Sequence, residues 1–233
     1  LKRLNLQSQI YSLFNISHMN ISIYTLIIIA LNALCSLKGF KDRSFFETYK
    51  FNVGGIKRGE QVRMLVSGFL HVDLQHLLFN MITFYFFADK VIYYVGPFYF
   101  FLIYFGSLIF GNLLSYYFHK NEAYYSAVGA SGAVTGILYA AILLNPGMEL
   151  YLYFIPIPIP SYVVGVGYML YSIYGMKSRV GNIGHDAHFG GAIGGYVLTL
   201  LIAPQVLETH LWMVIILAIP IVILFVMHKN NKI

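Results

Sequence analysis

Residues 21–37, 97–118 and 211–227 contain no charged side chain. Each is close to the length a helix needs to cross roughly 30 Å of hydrocarbon at about 1.5 Å per residue. A backbone in lipid has no water to bond to, so such a run satisfies its N–H and C=O groups internally, as a helix does. Composition supports the same reading. Of 233 residues 58% are hydrophobic, 10% are charged and the mean hydropathy is +0.69. A soluble protein would need more polar surface than 15 Lys and Arg with 9 Asp and Glu can supply. The net charge of +6 then points to anionic lipid as the partner and not to nucleic acid. The single cysteine, Cys35, lies in an apolar run and has no intrachain partner.

The chain reads as an all-α polytopic membrane protein with seven spans. Residues 1–20 form an interfacial lead-in. The first span covers 21–37 and is read as a span and not a cleaved signal, because no small-x-small site follows it directly. Residues 38–70 hold many of the charges, the Gly54-Gly55 pair and Arg63, which predicts a folded loop partly in the interface. A half-buried Arg63 would require a carboxylate or several carbonyls.

Helix two is expected from His71 or Asp73 to Asp89, with Asp73 as a cap. Helix three begins at Pro97, where a missing N–H costs nothing. Helix four starts near Ser131 and stops at Asn145-Pro146-Gly147. Alternate prolines at Pro156, Pro158 and Pro160 exclude a regular helix there. Helix five, 161–174, is short and carries Gly165 and Gly167, which makes it the candidate mobile element. Helix six covers 187–203 and helix seven 211–227, with a kink expected at Pro220.

Seven spans put the heads of helices two, four and six on one side, so His71, His76, Ser131 and His188 share a depth. Ser131 lies in the small-residue patch Gly129-Ala130-Ser131-Gly132, whose bland reading is helix packing. A serine hydroxyl becomes nucleophilic when a base takes its proton, and a neutral histidine can do so. His188 precedes Gly190, Gly191, Gly194 and Gly195, a doubled four-residue spacing that makes a flat seam able to press on helix four. His76 and Asn80, at i and i+4, share a face and offer N–H groups to a developing oxyanion. Asp186 is only two residues from His188 and cannot face the same way. A Ser131/His188 dyad is therefore expected in preference to a triad.

These motifs, Gly129-Ala130-Ser131-Gly132, His76-x-x-x-Asn80 and Ala187-His188-x-x-Gly191, together resemble the rhomboid family of intramembrane serine proteases, over residues 26–203. The resemblance implies Ser131 as nucleophile, His188 as base, and His76 and Asn80 as oxyanion stabilisers. His71, Arg63 and Gly129 match supporting positions. It implies a six-helix bundle with an extra seventh transmembrane helix, of the bacterial type. The corresponding division is 1–20, a catalytic core over 21–203 that includes the loop 38–70, and a C-terminal helix and tail over 204–233. It implies single-span membrane protein substrates, the lipid bilayer as surroundings, and no cofactor or metal. The sequence departs from the family at Val62, where a tryptophan is usual, at Asp89, a shorter carboxylate where a glutamate pairs with the loop arginine, and at Thr135, where an aromatic packs on the base.

Family resemblance also implies a multi-pass protein of the cell membrane whose site opens outward. Only Lys2, Arg3 and Lys90 of the 15 Lys and Arg would then face the cytoplasm, and positive-inside counting argues the reverse. Competing readings are a metal-dependent membrane hydrolase using His71, His76, His185 and His188, a transporter, and an inactive membrane-protein-binding scaffold.

Overall fold

The computed structural model describes residues 21–150, 157–178 and 184–230. The lead-in 1–20, Pro156 of the proline run and the end of the tail lie outside them. Helix α1, Ile23–Lys41, is capped by Ser22, whose hydroxyl accepts from the Tyr24 N–H. It runs a turn beyond the expected end, and Lys38 and Lys41 complement the dipole of its last turn.

The loop 38–70 is folded, as expected. It contains α2, Arg43–Tyr49, capped by Asp42, then strand β1, Phe51–Asn52, α3, Val53–Lys57, and α4, Arg63–Val66. Phe51, Val53, Ile56 and Met64 make a small core of their own. That core is tied down twice. Strand β1 pairs antiparallel with β2, Ser126–Ala127, in the register Phe51↔Ala127. The Asn112 side-chain amide also donates to the Met64 carbonyl at 2.6 Å. The loop therefore braces the segment that leads directly into Ser131.

Helix α5, Leu74–His119, spans 46 residues but is broken at Gly96, with φ 76° and ψ 167°. It comprises arms 74–95 and 97–119. The sequence expectation of a helix ending at Asp89 is corrected here: the first arm continues to residue 95. Reversal needs no loop because glycine accepts the positive φ and Pro97 opens the second arm with a φ already set for a helix.

Helix α6, Ser131–Leu144, stops before Pro146 and is buried from Gly132 through Leu143. A hairpin of β3, Glu149–Leu150, and β4, Ile159–Pro160, leads to α7, Ser161–Ser178. Then come α8, His185–Ile202, the short α9, Gln205–Thr209, and α10, Leu211–Lys229, which runs through Pro220 without ending there. Helices α5, α6 and α8 pack most extensively on one another, while α7 touches α8, α10 and α6 more lightly.

Among the described residues α1, α5 and α10 are long and apolar enough to cross a membrane by length and composition. Helix α6 is apolar but shorter, and it is enclosed by protein along nearly its whole length. Helix α8 opens with His185, Asp186 and His188, all buried, so its polarity is turned inward. The result is a predominantly α-helical, multi-pass membrane architecture.

Polar rungs hold α1 against α5 and the link ahead of it. The Asp89 carboxylate accepts from the Ser22 N–H at 3.1 Å and the Thr25 hydroxyl at 2.5 Å. The Asn32 amide donates to the Tyr104 hydroxyl at 3.3 Å. Ser36 meets His71 at 2.8 Å.

Candidate active site

Absent side chains position the site. A Cβ at Gly191 would collide with the Gly132 carbonyl, and one at Gly195 would collide with the Gly136 carbonyl. On the adjacent face, a Cβ at Gly190 would lie 2.5 Å from the Phe110 carbonyl oxygen, and one at Gly194 2.9 Å from the Ser107 Cα. One stripe of α8 thus touches α6 backbone to backbone and the other touches α5, the seam that the glycine spacing predicts. At its upper end Gly132 abuts the Ala187 carbonyl: a Cβ there would lie 3.1 Å from that oxygen. Ser131 and His188 adjoin these two contacting residues, one at the first position of α6 and the other in the first turn of α8.

Gly129 leaves the ground beside Ser131 bare. Its φ of +133° is one that glycine adopts freely, and a Cβ there would lie 2.9 Å from His76 Nε2 and 3.7 Å from Ser131 Oγ. The His76 ring and the Ser131 hydroxyl therefore border one small space. Asn80 is buried and donates to the His76 carbonyl at 3.1 Å, so it lies on the same face of α5, as its spacing predicts. The amide keeps a second N–H.

His71 sets the backbone ahead of Ser131. The Ser36 hydroxyl gives its hydrogen to the Phe69 carbonyl at 3.0 Å and so accepts from His71 Nδ1–H at 2.8 Å. Nε2 is left to accept the Ala130 N–H at 3.4 Å. Burial, with the neighbouring His76 second, pushes the imidazole of this link residue down to about 3, so it stays neutral and able to accept. Its ring meets His76 edge-on at 4.8 Å.

His188 is buried, and its Nδ1 lies 2.8 Å from the Tyr168 hydroxyl, with the two rings stacked at 5.7 Å and 27°. Among the described residues no carboxylate takes this place. Asp186 turns instead to the Tyr125 hydroxyl at 3.4 Å and to His119 Nε2 at 3.5 Å, as a residue two positions away must. Thr135 donates to the Ser131 carbonyl at 2.8 Å. The ring that packs on His188 comes from α7, not from position 135. Sequence reasoning missed Tyr168, which is one of 20 tyrosines and belongs to no motif.

The expected partnership of Arg63 with Asp89 does not form. Arg63 Nε meets Glu60 at 2.5 Å, and its Nη1 donates to the Glu47 and Lys50 carbonyls at 2.8 and 2.9 Å. Gly55 makes room, since a Cβ there would lie 2.7 Å from both Arg63 Nε and Glu60 Oε2. The Arg63 hydrogen bond also holds the Glu60 carboxyl below its usual range. Asp89 cannot reach this loop. It is 16 residues along α5 from the cap Asp73, about 24 Å at 1.5 Å per residue, and it anchors the opposite end of α1.

The four histidines considered as metal ligands are not gathered into a ligand set. Both ring nitrogens of His71 are already engaged, and among the described residues no group of three or more His, Cys, Asp or Glu side chains could hold a metal.

Long apolar helices enclosing a buried cluster of hydroxyl, imidazole and amide groups define a polytopic membrane protein with a polar site inside its helix bundle. The chain belongs to the rhomboid family, whose Rhomboid domain matches residues 58–205. It is 28% identical over 168 residues to the RHOMBOID-like protein 12, mitochondrial, of Arabidopsis thaliana, covering 66% of this chain and 50% of that protein. To Rhomboid protein 1, mitochondrial, of Saccharomyces cerevisiae it is 28% identical over 138 residues, 58% of this chain and 40% of the relative. Rhomboid protease GluP of Bacillus subtilis is 32% identical over 146 residues, 60% of this chain and 26% of its own length. The chain thus spans about half the length of the first relative and less of the other two.

Proposed function

We propose that this protein is an intramembrane serine endopeptidase that cuts peptide bonds in or near transmembrane segments of single-span proteins through a Ser131/His188 dyad. The observation that carries the reading is the backbone contact of Gly132 with Ala187, which sets the heads of α6 and α8 side by side. In this reading Ser131 Oγ attacks the scissile carbonyl while His188 takes its proton. The oxyanion is held by the Ser131 N–H, the His76 imidazole and the Asn80 amide. His188 returns the proton to the leaving amine, and water then hydrolyses the acyl-enzyme by the reverse use of the same base. His71, Gly129 and Arg63 support the site, and Asp89 is a distant helix anchor. No metal or cofactor enters any step.

A serine-directed phosphonate tests this reading on the purified protein. Wild type should take the label and Ser131→Ala should not. Equal labelling of both would overturn the assignment and favour an inert scaffold.

The finer architecture proposed is the bacterial type, with a six-helix core over 21–203 and an additional helix over 204–233. Its seven spans are α1, the two arms of α5, α6, α7, α8 and α10. Helix α7 is the moving element that admits substrate, since its packing is lighter than that of the α5, α6 and α8 trio. We assign the site to the extracytoplasmic face of the cell membrane, from which water reaches the acyl-enzyme. A cysteine at His119, with Cys35 replaced by alanine, should react with an impermeant thiol reagent outside intact cells. Reaction only after the membrane is broken would reverse the orientation and vindicate the lysine and arginine count. Asn182, the other position suited to such a label, lies outside the described residues.

A further inference from the structure

We infer that the cleft between the end of α1 and the head of α5 binds the headgroup of an ethanolamine phospholipid, independently of what the buried site catalyses. The cleft measures about 630 Å³. It is lined by Phe40 and Lys41 from the last turn of α1, Arg43 and Phe46 from α2, and Val72 and Asp73 just ahead of α5.

Its depth follows from its neighbours. Helices α1 and α5 are each long and apolar enough to cross a membrane, and the cleft opens where the first ends and the second begins. That is the level at which hydrocarbon gives way to phosphate. Along the two helices, away from the cleft, Leu34 and Leu37 on α1 and Leu74 and Leu78 on α5 are exposed. Leu37 stands one turn from Lys41 on the same face of α1, and Leu78 one turn from Leu74 on α5. A lipid with its headgroup in the cleft can lay its acyl chains on these side chains, whereas a soluble phosphate ester would leave them uncovered.

The charges of the cleft match a zwitterion. Residues 38–50 carry four cations, Lys38, Lys41, Arg43 and Lys50, against two carboxylates, Asp42 and Glu47. Glu47 is shared by Arg43 and Lys50, each at 2.5 Å, and Asp42 caps α2 by accepting from the Phe45 N–H at 3.0 Å. Lys38 Nζ lies over the Phe45 ring, 4.3 Å from its centre. Among the described residues Lys41 has no carboxylate within ion-pair distance. A phosphate in the cleft can therefore take the Lys41 ammonium and N–H groups that Arg43 does not spend on Glu47.

Asp73 selects among phosphates. One of its oxygens accepts from the His76 N–H at 2.7 Å, and the carboxylate has further lone pairs to offer. A glycerol headgroup brings no cation to it, and a choline brings a cation without an N–H. Ethanolamine sets a primary ammonium two carbons from the phosphate ester oxygen, so it meets Asp73 while the phosphate meets Lys41 and Arg43. Phe40, Phe46 and Val72 supply the apolar wall against which the linking carbons lie.

Native mass spectrometry of the full chain, delipidated in detergent, reads this without reference to cleavage. Dioleoyl phosphatidylethanolamine should be retained in preference to dioleoyl phosphatidylglycerol and dioleoyl phosphatidylcholine. Lys41→Gln and Arg43→Gln should each weaken its retention about five-fold, the scale of one basic side chain at a lipid surface. Lys57→Gln, outside the cleft, should leave retention unchanged. Asp73→Asn, which keeps a capping residue, should erase the preference over phosphatidylglycerol. Melting temperatures of the lipid-free variants separate lost binding from lost folding. A large excess of glycerophosphoethanolamine should fail to displace the lipid. Equal retention of the three lipids, or retention unchanged in both Lys41→Gln and Arg43→Gln, would overturn the proposal. Displacement by glycerophosphoethanolamine would overturn it too, by assigning the cleft to a soluble phosphate ester. Loss of Ser131 labelling or of cleavage bears on the dyad alone and leaves this result standing.

Discussion

Ser131→Ala and His188→Ala should each reduce cleavage of a reconstituted single-span substrate to background while leaving the protein folded in detergent. A hydroxyl without its base is not a nucleophile, and a base without the hydroxyl has nothing to activate. The two losses should therefore be grossly non-additive, with the double variant little worse than either single one. Asn80→Ala and His76→Ala should behave differently, lowering kcat by about ten- to a thousand-fold, the scale of one lost oxyanion donor. The distinction follows from position. His76 borders the space beside Ser131, Asn80 lies one turn further along the same face of α5, and neither can replace a proton acceptor on α8. Full activity in either Ser131→Ala or His188→Ala at equal protein would end the dyad assignment, and unchanged kcat in both helix α5 variants would return those residues to packing.

The second large effect is expected from adding one methyl group at the seam. In Gly191→Ala the new Cβ meets the Gly132 carbonyl, a main-chain atom with no rotamer to yield, so α8 and α6 must separate. Overpacking of this kind costs about 1–3 kcal/mol. Displacing reacting groups by about 1 Å can cost about a hundred-fold in rate. Gly191→Ala and Gly195→Ala should accordingly lose at least about a hundred-fold in activity and melt earlier. Gly167→Ala is the comparison, since a Cβ there meets nothing within 4 Å. It should leave both rate and melting temperature close to wild type. A Gly191→Ala protein as active as wild type would show that the seam does not set the site.

Features written in local chemistry were legible from the chain. The Pro146-Gly147 stop, the Asp73 cap, the face shared by His76 and Asn80 and the glycine stripes of α8 all follow from spacing and residue type, and the structure has them. What depended on distant partners was not legible. Arg63 needed a carboxylate, and the requirement was right, but Glu60 three residues away meets it where the family pattern suggested Asp89. Helix length misled at Asp89 as well, because a charge near the end of an apolar run does not end a helix when another chain segment satisfies it. Tyr168 could not be singled out, since a tyrosine hydroxyl gains its meaning only from the helix it faces.

Rungs of hydrogen bonds along α1 bear on which wall of the site can give way. In water such bonds exchange cheaply with solvent, but within hydrocarbon a parted donor and acceptor find no substitute. Prising α1 from α5 would strand the Asn32 amide and the Tyr104 hydroxyl at mid-depth, with the Ser36 and His71 pair at one end and Thr25 and Asp89 at the other. Helix α1, the two arms of α5 and the link ahead of them therefore behave as one double-thickness wall, fastened top, middle and bottom. A peptide approaching from that flank meets a closed surface. The bilayer itself, by withholding water, serves as the lock on this side of the molecule.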